Sequence, residues 1–426
     1  MNFHESETYL LSLGNEVETM KLGLENIRRL LAALGNPQNN YLKVQVAGTN
    51  GKGSVCAFLD SICLEAAIST GLYTSPHLVS ITERIKIGGK DIIREEFARL
   101  ATRVRETSES LVADGKLERV PTYFEQVTAM ALQAFADAKV ELAILETGLG
   151  GRYDATTAAN AEIAAITRID LDHQEYLGDT IEEIAAEKAA IIRPNTRAMV
   201  IGDQKPEVDA VINSRIANLV EADTWQIVPI VYRPSEVSRY SETNPFDREI
   251  IGLPGRHQIE NARIAILLSL CLQDGFSIRE DNILSGLANV RHQGRLEYDG
   301  RYLFDGAHNI NGAIALAFYL IVNVDKPLTM IFASMREKDV REIAVRLFPI
   351  AENVVLTRPD NSRAMSAGEI AAVSRDLVYH DRFFLTESVA EAIKKAEEIS
   401  GEDSIILVTG SLYLVGEAKR ILSSQI

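Results

Sequence analysis

Cysteine, tryptophan and long apolar runs are what this 426-residue sequence has least of: three cysteines, one tryptophan and no membrane-length hydrophobic stretch. Cys56, Cys63 and Cys271 follow no metal-ligand spacing, and Cys56 and Cys63 stand a helical heptad apart in an apolar stripe, so they read as buried small hydrophobes in a reducing compartment. No apolar run approaches the roughly 18 residues of a membrane span, and the opening MNFHESETYLLSLG has no basic region ahead of an apolar one. Basic side chains are also short, 44 against 60 acidic for a formal charge of −16, which argues against a sequence-independent nucleic-acid surface. The expectation is a cytoplasmic protein with neither nucleic acid nor membrane as partner.

What is present is a large apolar content, 46%, in a chain too long for one ordinary domain. Short β-branched runs (LKVQVAG, VELAILE, AEIAAITRI, RAMVIG, YLFDGA, LTMIFAS, ENVVLT, SIILVTG) alternate with amphipathic ones such as TYFEQVTAMALQAFADA and IEEIAAEKAAII. That alternation predicts an α/β fold with mostly parallel sheets covered on both faces. Over residues 202–260 the pattern becomes irregular, and RPSEVSRYSETNPFDREI reads as turns with short antiparallel strands. A helix-like stretch ends at Gly294 before a fresh strand, placing a domain boundary at 294–298.

The stretch VQVAGTNGKGSVCAFLDSIC runs from a strand through a Gly-rich turn into a helix. The strict G-x-x-x-x-G-K-[ST] loop is not met, because Gly53 follows Lys52 and Val46 stands five before Gly51. Its physics survives: glycines that let backbone N–H groups approach an anion, a lysine for phosphate charge, the Ser54 hydroxyl for a metal, and a helix N-terminus aimed at the site. VELAILETGLGG presents Glu146 at a strand's C-terminal edge, suited to a metal-bound nucleotide or simply a polar strand end. Asp172 and His173 fall in a loop after another apolar strand. Lys188 lies in a predicted helix whose other face, Ile181, Ile184, Ala185, Ile191 and Ile192, is apolar, so spacing alone reads it as a snorkelling surface lysine.

AGTNGKGS resembles the ATP loop of the Mur ligase superfamily, and its GKGS ending the folylpolyglutamate synthase and dihydrofolate synthase branch. YTSPHLVSITERIKI, TYFEQVTAMA, LETGLGGRYDAT, LDHQEYLGDTIEEIAAEKAAII, LPGRHQIENA, GRLE, DGAHN and VTGSLYLVGE resemble family segments in family order over nearly the whole chain. The resemblance implies an N-terminal P-loop-type ATPase domain with a mostly parallel sheet and pterin-binding segments, residues 1–294. A smaller Rossmann-like α/β domain follows, residues 298–426, closing over glutamate and ATP.

For the site, the resemblance implies that Gly48, Thr49, Asn50, Gly51, Lys52, Gly53, Ser54, Asn261, Arg295 and Asp305 bind ATP. Ser54, Ser75 and Glu146 would hold one Mg²⁺, and His173 a second with Lys188, which the family carries carbamylated; a carbamate there replaces a repelled cation by a metal-binding anion. Lys52, His173, Lys188 and His308 would be the catalytic groups. Thr122, Tyr123, Phe124, Glu125, Tyr153, Asp154 and Ala155 would contact the pterin, although Thr122 also reads as a helix start and Phe124 as a core ring. Arg84, His308 and Ser411 would bind glutamate, with a solvated loop charge the other reading for Arg84 and a helix N-cap for Ser411.

The implied activity is ATP-dependent ligation of L-glutamate to 7,8-dihydropteroate and to the glutamate tail of tetrahydrofolates through an acyl phosphate, by a monomer. Folylpolyglutamate synthesis alone is the nearest alternative. A muramyl ligase is disfavoured because only about 45 residues precede Gly48, too few for a UDP-binding domain. An inactive nucleotide-binding module would have eroded Lys52, Glu146, His173 or Lys188, and all four are present; a motion-driving ATPase would show the strict phosphate loop. Two departures bear on substrate: Thr157 stands where many relatives have Asn, and ASMREKD where GALKDKD is common.

Overall fold

The computed structural model describes residues 1–14, 23–222, 229–234, 251–377 and 382–424. From Ser235 onward, the segment read as turns lies outside these residues. The chain packs as two compact units, one of Met1–His77, Ile81–Gly252 and Glu260–Val290, the other of Leu78–Ser80, Leu253–Ile259 and Arg291–Ile426. The long stretch of the second unit begins at Arg291, a few residues before the expected 294–298 boundary, and two short earlier stretches join it.

The first unit is built on β1 (Leu42–Ala47), β2 (Thr70–Tyr73), β3 (Ile85–Ile87), β4 (Lys90–Asp91), β5 (Leu142–Glu146), β6 (Ile163–Ile166), β7 (Ala198–Ile201) and β8 (Ile230–Tyr232). They form one sheet in the order β4-β3-β2-β5-β1-β6-β7-β8. Strands β2 through β8 in that order pair in parallel, and β3 and β4 add an antiparallel edge. The central strands are buried along almost their whole length, which is why they read as near-continuous Val, Ile, Leu and Ala. Helix Tyr123–Asp137 buries Phe135 against β2, where Gly71 leaves no room for a Cβ. Each such fully buried side chain contributes roughly 1.5–3 kcal/mol.

One stretch departs from the sequence expectation. Within 202–260, residues Pro206–Glu221 form a 16-residue helix. Pro206 starts it, where a missing N–H costs nothing, and Glu207 and Asp209 favour its N-terminus. It buries only Val208, Ile212 and Leu219, too sparse a stripe to stand out in the sequence.

The second unit carries β9 (Glu297–Asp299), β10 (Tyr302–Phe304), β11 (Leu328–Phe332), β12 (Asn353–Leu356), β13 (Phe383–Leu385) and β14 (Ile405–Thr409). Their order is β13-β12-β11-β14-β10-β9, parallel except for β9, as a Rossmann-like domain requires. Its core includes Phe332 packed edge-on against Phe348, ring centroids 5.1 Å apart. Among the described residues no helix is long and apolar enough to cross a membrane.

Candidate active site

β1 lies between β5 and β6, and the chain leaves it toward β2 on one side and later crosses it from β5 to β6. The carboxyl ends of these strands are therefore a topological switch point, where an open α/β sheet has its crevice. Gly48–Lys52 enter it from β1, Glu146 from β5, and Thr167–His173 from β6. Gly48 has φ 147°, and a Cβ there would overlap the Thr167 side chain; Gly51 has φ 91°, and the Asn261 amide fills the space beside it. Only glycine serves at both positions. The turn is braced from β6: the Thr49 N–H donates to Arg168 O at 3.0 Å, its hydroxyl to Asp170 O at 3.0 Å, and the Thr167 hydroxyl to Asn50 O at 2.7 Å.

Helix Lys52–Glu65 starts at Gly51 with no side-chain cap, whereas the helices at Thr122 and Thr180 carry full capping boxes. The first-turn amides of Lys52, Gly53 and Ser54 are thus left for an anion, where the helix dipole also favours negative charge. The Lys52 ammonium folds back onto Gly48 O and Thr49 O, both at 3.1 Å.

Lys188 is not a snorkelling surface residue. It stands four residues after Ile184 and seven after Ile181, on the apolar stripe itself, and is 4% exposed. Its ammonium donates to Gly48 O at 3.0 Å. Burial pushes its pKa down to about 7, with Lys52 adding to the effect and the Asp172 and Asp154 carboxylates opposing it. A neutral amine is therefore accessible at neutral pH.

Glu146, 6% exposed, accepts the Ser75 N–H at 3.0 Å, which joins the ends of β5 and β2. Ser54 is buried in the first turn of the Lys52 helix. These oxygen donors, one carboxylate and two hydroxyls, suit the hard Mg²⁺ ion. His173 adopts φ 51° and its Nε2 lies 3.9 Å from the Asp172 carboxylate. Among the described residues no three His, Cys, Asp or Glu side chains form a cluster that could hold a metal ion.

Thr122 and Glu125 cap each other at the start of their helix, Thr122 N–H to Glu125 Oε2 at 2.8 Å and Glu125 N–H to Thr122 Oγ1 at 3.4 Å. Tyr123 is buried, and Phe124 packs on Tyr73, centroids 6.0 Å apart, and against Gly148. That contact brings residues 122–125 to the segment that holds Tyr153, 39% exposed, and buried Asp154 and Ala155. Arg84 is 3% exposed, so the solvated reading does not hold. Its Nε donates to His77 Nδ1 at 2.8 Å and its guanidinium lies 5.5 Å from the Tyr123 ring centroid. Burial and this neighbour hold His77 neutral, with a pKa lowered to about 3.

In the second unit, the buried Asp305 carboxylate accepts Leu296 N–H and Ala307 N–H, both at 3.0 Å, and so fixes the turn after Arg295. Burial raises its pKa, opposed by Arg295. His308 Nδ1 donates to Gly306 O at 2.8 Å. Ser411 caps helix Leu412–Ser423 through the Tyr413 N–H at 3.1 Å.

Sequence reasoning overlooked Thr167 and Asp170, which brace the loop, and Gln45, a 1% exposed glutamine within β1. A lone polar residue inside the run VQV was the available signal.

This crevice and sheet define a Mur ligase ATP domain: the Mur ligase middle domain matches residues 46–269, and the C-terminal domain of dihydrofolate synthetase matches residues 289–421. The chain belongs to the folylpolyglutamate synthase/dihydrofolate synthase family. It is 32% identical to dihydrofolate synthetase of Saccharomyces cerevisiae, covering 96% of this chain and 99% of that one. It is 31% identical to dihydrofolate synthase/folylpolyglutamate synthase of Bacillus subtilis, covering 95% of each. It is also 34% identical to a probable bifunctional folylpolyglutamate synthase/dihydropteroate synthase of Haloferax volcanii, covering 98% of this chain but 50% of that protein, so it spans about half that relative's length. Among solved structures, folylpolyglutamate synthase of Mycobacterium tuberculosis complexed with ADP superposes with TM-score 0.87 at 31% identity, covering 98% of both chains. E. coli FolC in complex with DHPP and ADP superposes with TM-score 0.82 at 26% identity, covering 100% of this chain and 98% of that one.

Proposed function

We propose that this chain is an ATP-dependent carboxylate–amine ligase that adds L-glutamate to 7,8-dihydropteroate and to the glutamate tail of reduced folates. The observation that carries the reading is the convergence of Lys52 and Lys188 on one loop carbonyl beside an uncapped helix N-terminus. The names of the yeast and Bacillus relatives and the DHPP and ADP bound to E. coli FolC support the substrate class.

The acceptor's carboxylate oxygen attacks the γ-phosphorus of ATP; that O–P bond forms, the bond to the bridging oxygen breaks, and ADP leaves. The glutamate amine then attacks the acyl carbon, a C–N bond forms, phosphate departs and the amine loses a proton. Lys52 exchanges its loop carbonyls for phosphate oxygens, and the first-turn amides hold the charge that develops in the in-line transfer. Mg²⁺, when bound, neutralises charge on the phosphates; Glu146, Ser54 and Ser75 would hold one ion, and His173 with a carbamylated Lys188 a second. The carbamate forms when the neutral Lys188 amine attacks CO₂, making an N–C bond and releasing a proton. The burial that lowers its pKa to about 7 favours that step. Tyr153, Asp154, Ala155 and residues 122–125 would seat the pterin.

The test is phosphate release from MgATP with L-glutamate, with mass detection of product, using 7,8-dihydropteroate, tetrahydrofolate or UDP-N-acetylmuramoyl-L-alanine as acceptor. Product from both pterins is the expected result. Product from tetrahydrofolate alone reduces the activity to chain extension, and product from the muramyl acceptor alone overturns the folate assignment.

A further inference from the structure

Gln45 points away from the faces of its β1 neighbours Val44 and Val46, and its amide is sealed from solvent. Its Nε2 reaches three threonine hydroxyls: Thr157 at 2.8 Å, Thr156 at 2.9 Å and Thr147 at 3.1 Å. Proton counting fixes the direction of the network. The Thr156 hydroxyl donates to Asp154 Oδ1 at 2.5 Å and the Thr157 hydroxyl to Gly151 O at 2.7 Å, so the lone pairs of both oxygens face Gln45. An amide nitrogen has two protons, and they are matched by these two oxygens, with the longer Thr147 contact sharing one. A flipped amide would set its carbonyl against hydroxyls whose protons are already committed.

Thr147 follows Glu146, and Thr156 and Thr157 close the segment that holds Tyr153, Asp154 and Ala155. One strand side chain therefore ties both ends of residues 146–157 to β1. The segment has other anchors, none of which bonds Thr156 or Thr157 to β1: Phe124 packs on Gly148, Leu177 on Gly150 and Ile191 on Gly151, Ala155 is buried, and the Arg152 guanidinium pairs with Glu187 at 2.7 Å. Asp154 accepts Leu149 N–H at 2.9 Å and Thr156 N–H at 3.0 Å, which shapes the loop internally, and the Arg152 N–H donates to Glu187 O at 3.0 Å. The nucleotide side is anchored differently: Glu146 pairs with Val46 in the sheet, and Thr147 N–H donates to Val46 O at 3.0 Å, both independent of the Gln45 side chain.

We infer that Gln45 is a positioning residue for the pterin acceptor: through Thr156 and Thr157 it sets the loop that carries Tyr153–Ala155, and it has little effect on the ATP loop. The inference rests on the proposed function for its substrate, and on hydrogen bonding alone for the loop. The variants are Gln45→Met, which keeps length and removes both donors, Thr157→Val, which keeps shape and removes both the acceptor for Gln45 and the donor to Gly151 O, and Thr157→Ser, which keeps the hydroxyl.

Two readouts apply to the intact chain. In steady-state kinetics, Gln45→Met and Thr157→Val are expected to raise KM for 7,8-dihydropteroate at least tenfold and leave KM for MgATP within twofold, with Thr157→Ser at wild-type values. In hydrogen exchange without substrate, amides 148–157 are expected to exchange at least tenfold faster in the first two variants only. An unchanged acceptor KM, a proportional rise in both KM values, or unchanged exchange in these amides overturns the inference. If the wild type ligates neither pterin, the functional reading fails separately and the exchange comparison alone decides the positioning role. Should Gln45→Met not fold, Gln45→Leu, which also lacks both donors and leaves the Thr157 bond to Gly151 O in place, makes the same comparison.

Discussion

Lys52 and Lys188, 136 positions apart in the sequence, donate to the same atom, the Gly48 carbonyl oxygen, at 3.1 and 3.0 Å. Burial lowers the Lys188 pKa to about 7, and the repulsion between two ammonium groups on one acceptor adds to it. Conversion of Lys188 to a carbamate turns that repulsion into attraction. Incubated with ¹³C-bicarbonate, the wild type is expected to show a carbamate carbon resonance that Lys188→Met lacks. The same variant should lose activity by about 100-fold or more, the scale of removing one electrostatic group from a transferring phosphoryl centre. A wild-type spectrum without that signal, at activity independent of CO₂, would defeat the carbamate.

The loop's shape makes a second prediction. Gly48 sits at φ 147°, a region in which only glycine is at ease, and its missing side chain leaves space that Thr167 occupies. Gly48→Ala carries backbone strain on the order of 1–3 kcal/mol and displaces the hydroxyl that holds Asn50 O. ADP affinity by calorimetry is expected to fall at least tenfold with the overall fold retained. Wild-type affinity would mean that the cradle tolerates a Cβ.

Asp60 gives a pH dependence. It is buried on the Lys52–Glu65 helix, accepts the Thr70 hydroxyl at 2.6 Å, and burial raises its pKa to about 6. The folded chain therefore holds a proton there between about pH 4 and pH 6 that the unfolded chain has released, so this group's contribution to stability falls as pH rises through that window. Asn keeps an acceptor for Thr70 and has no charge to bury. Asp60→Asn is expected to gain on the wild type by about 1–3 kcal/mol between pH 4 and pH 7, read as the difference between denaturant midpoints converted to free energy. A difference that is flat with pH would show that Asp60 is ionised at no cost.

The parts of the molecule legible in the sequence were those whose cause is local. All eight apolar runs read as strands are strands, because buried parallel strands need continuous apolar residues. Strands β2, β3, β4, β8, β9 and β13 were not read, since all but β2 are partly or wholly exposed and offer no continuous buried apolar run, and β2 is broken by Gly71. The phosphate loop was legible because glycine, lysine and hydroxyl crowd into eight residues. Lys188 was placed on the wrong face, although its spacing from Ile181 and Ile184 would have put it on the buried one. Gln45 could not have been paired from sequence, since its partners lie more than 100 positions away and only the sheet brings them together.

Thr122 combines a local role with a proposed functional one, and the two can be separated. Its hydroxyl caps helix Tyr123–Asp137 while Glu125 returns the bond to the Thr122 N–H, so two orphan donors at the helix start are satisfied at once. Thr122→Ala removes one half of that exchange and is expected to cost about 0.5–2 kcal/mol in urea denaturation, whereas Thr122→Ser keeps the acceptor and should cost almost nothing. The cap also sets where Phe124 meets Gly148 and hence the distance between residues 122–125 and the Tyr153–Ala155 loop. If capping is how Thr122 serves the pterin, KM for 7,8-dihydropteroate follows stability, raised in Thr122→Ala and restored in Thr122→Ser. If Thr122→Ser restores stability and leaves KM raised, the threonine methyl contacts the acceptor directly, and the residue belongs to the binding surface as well as to the helix.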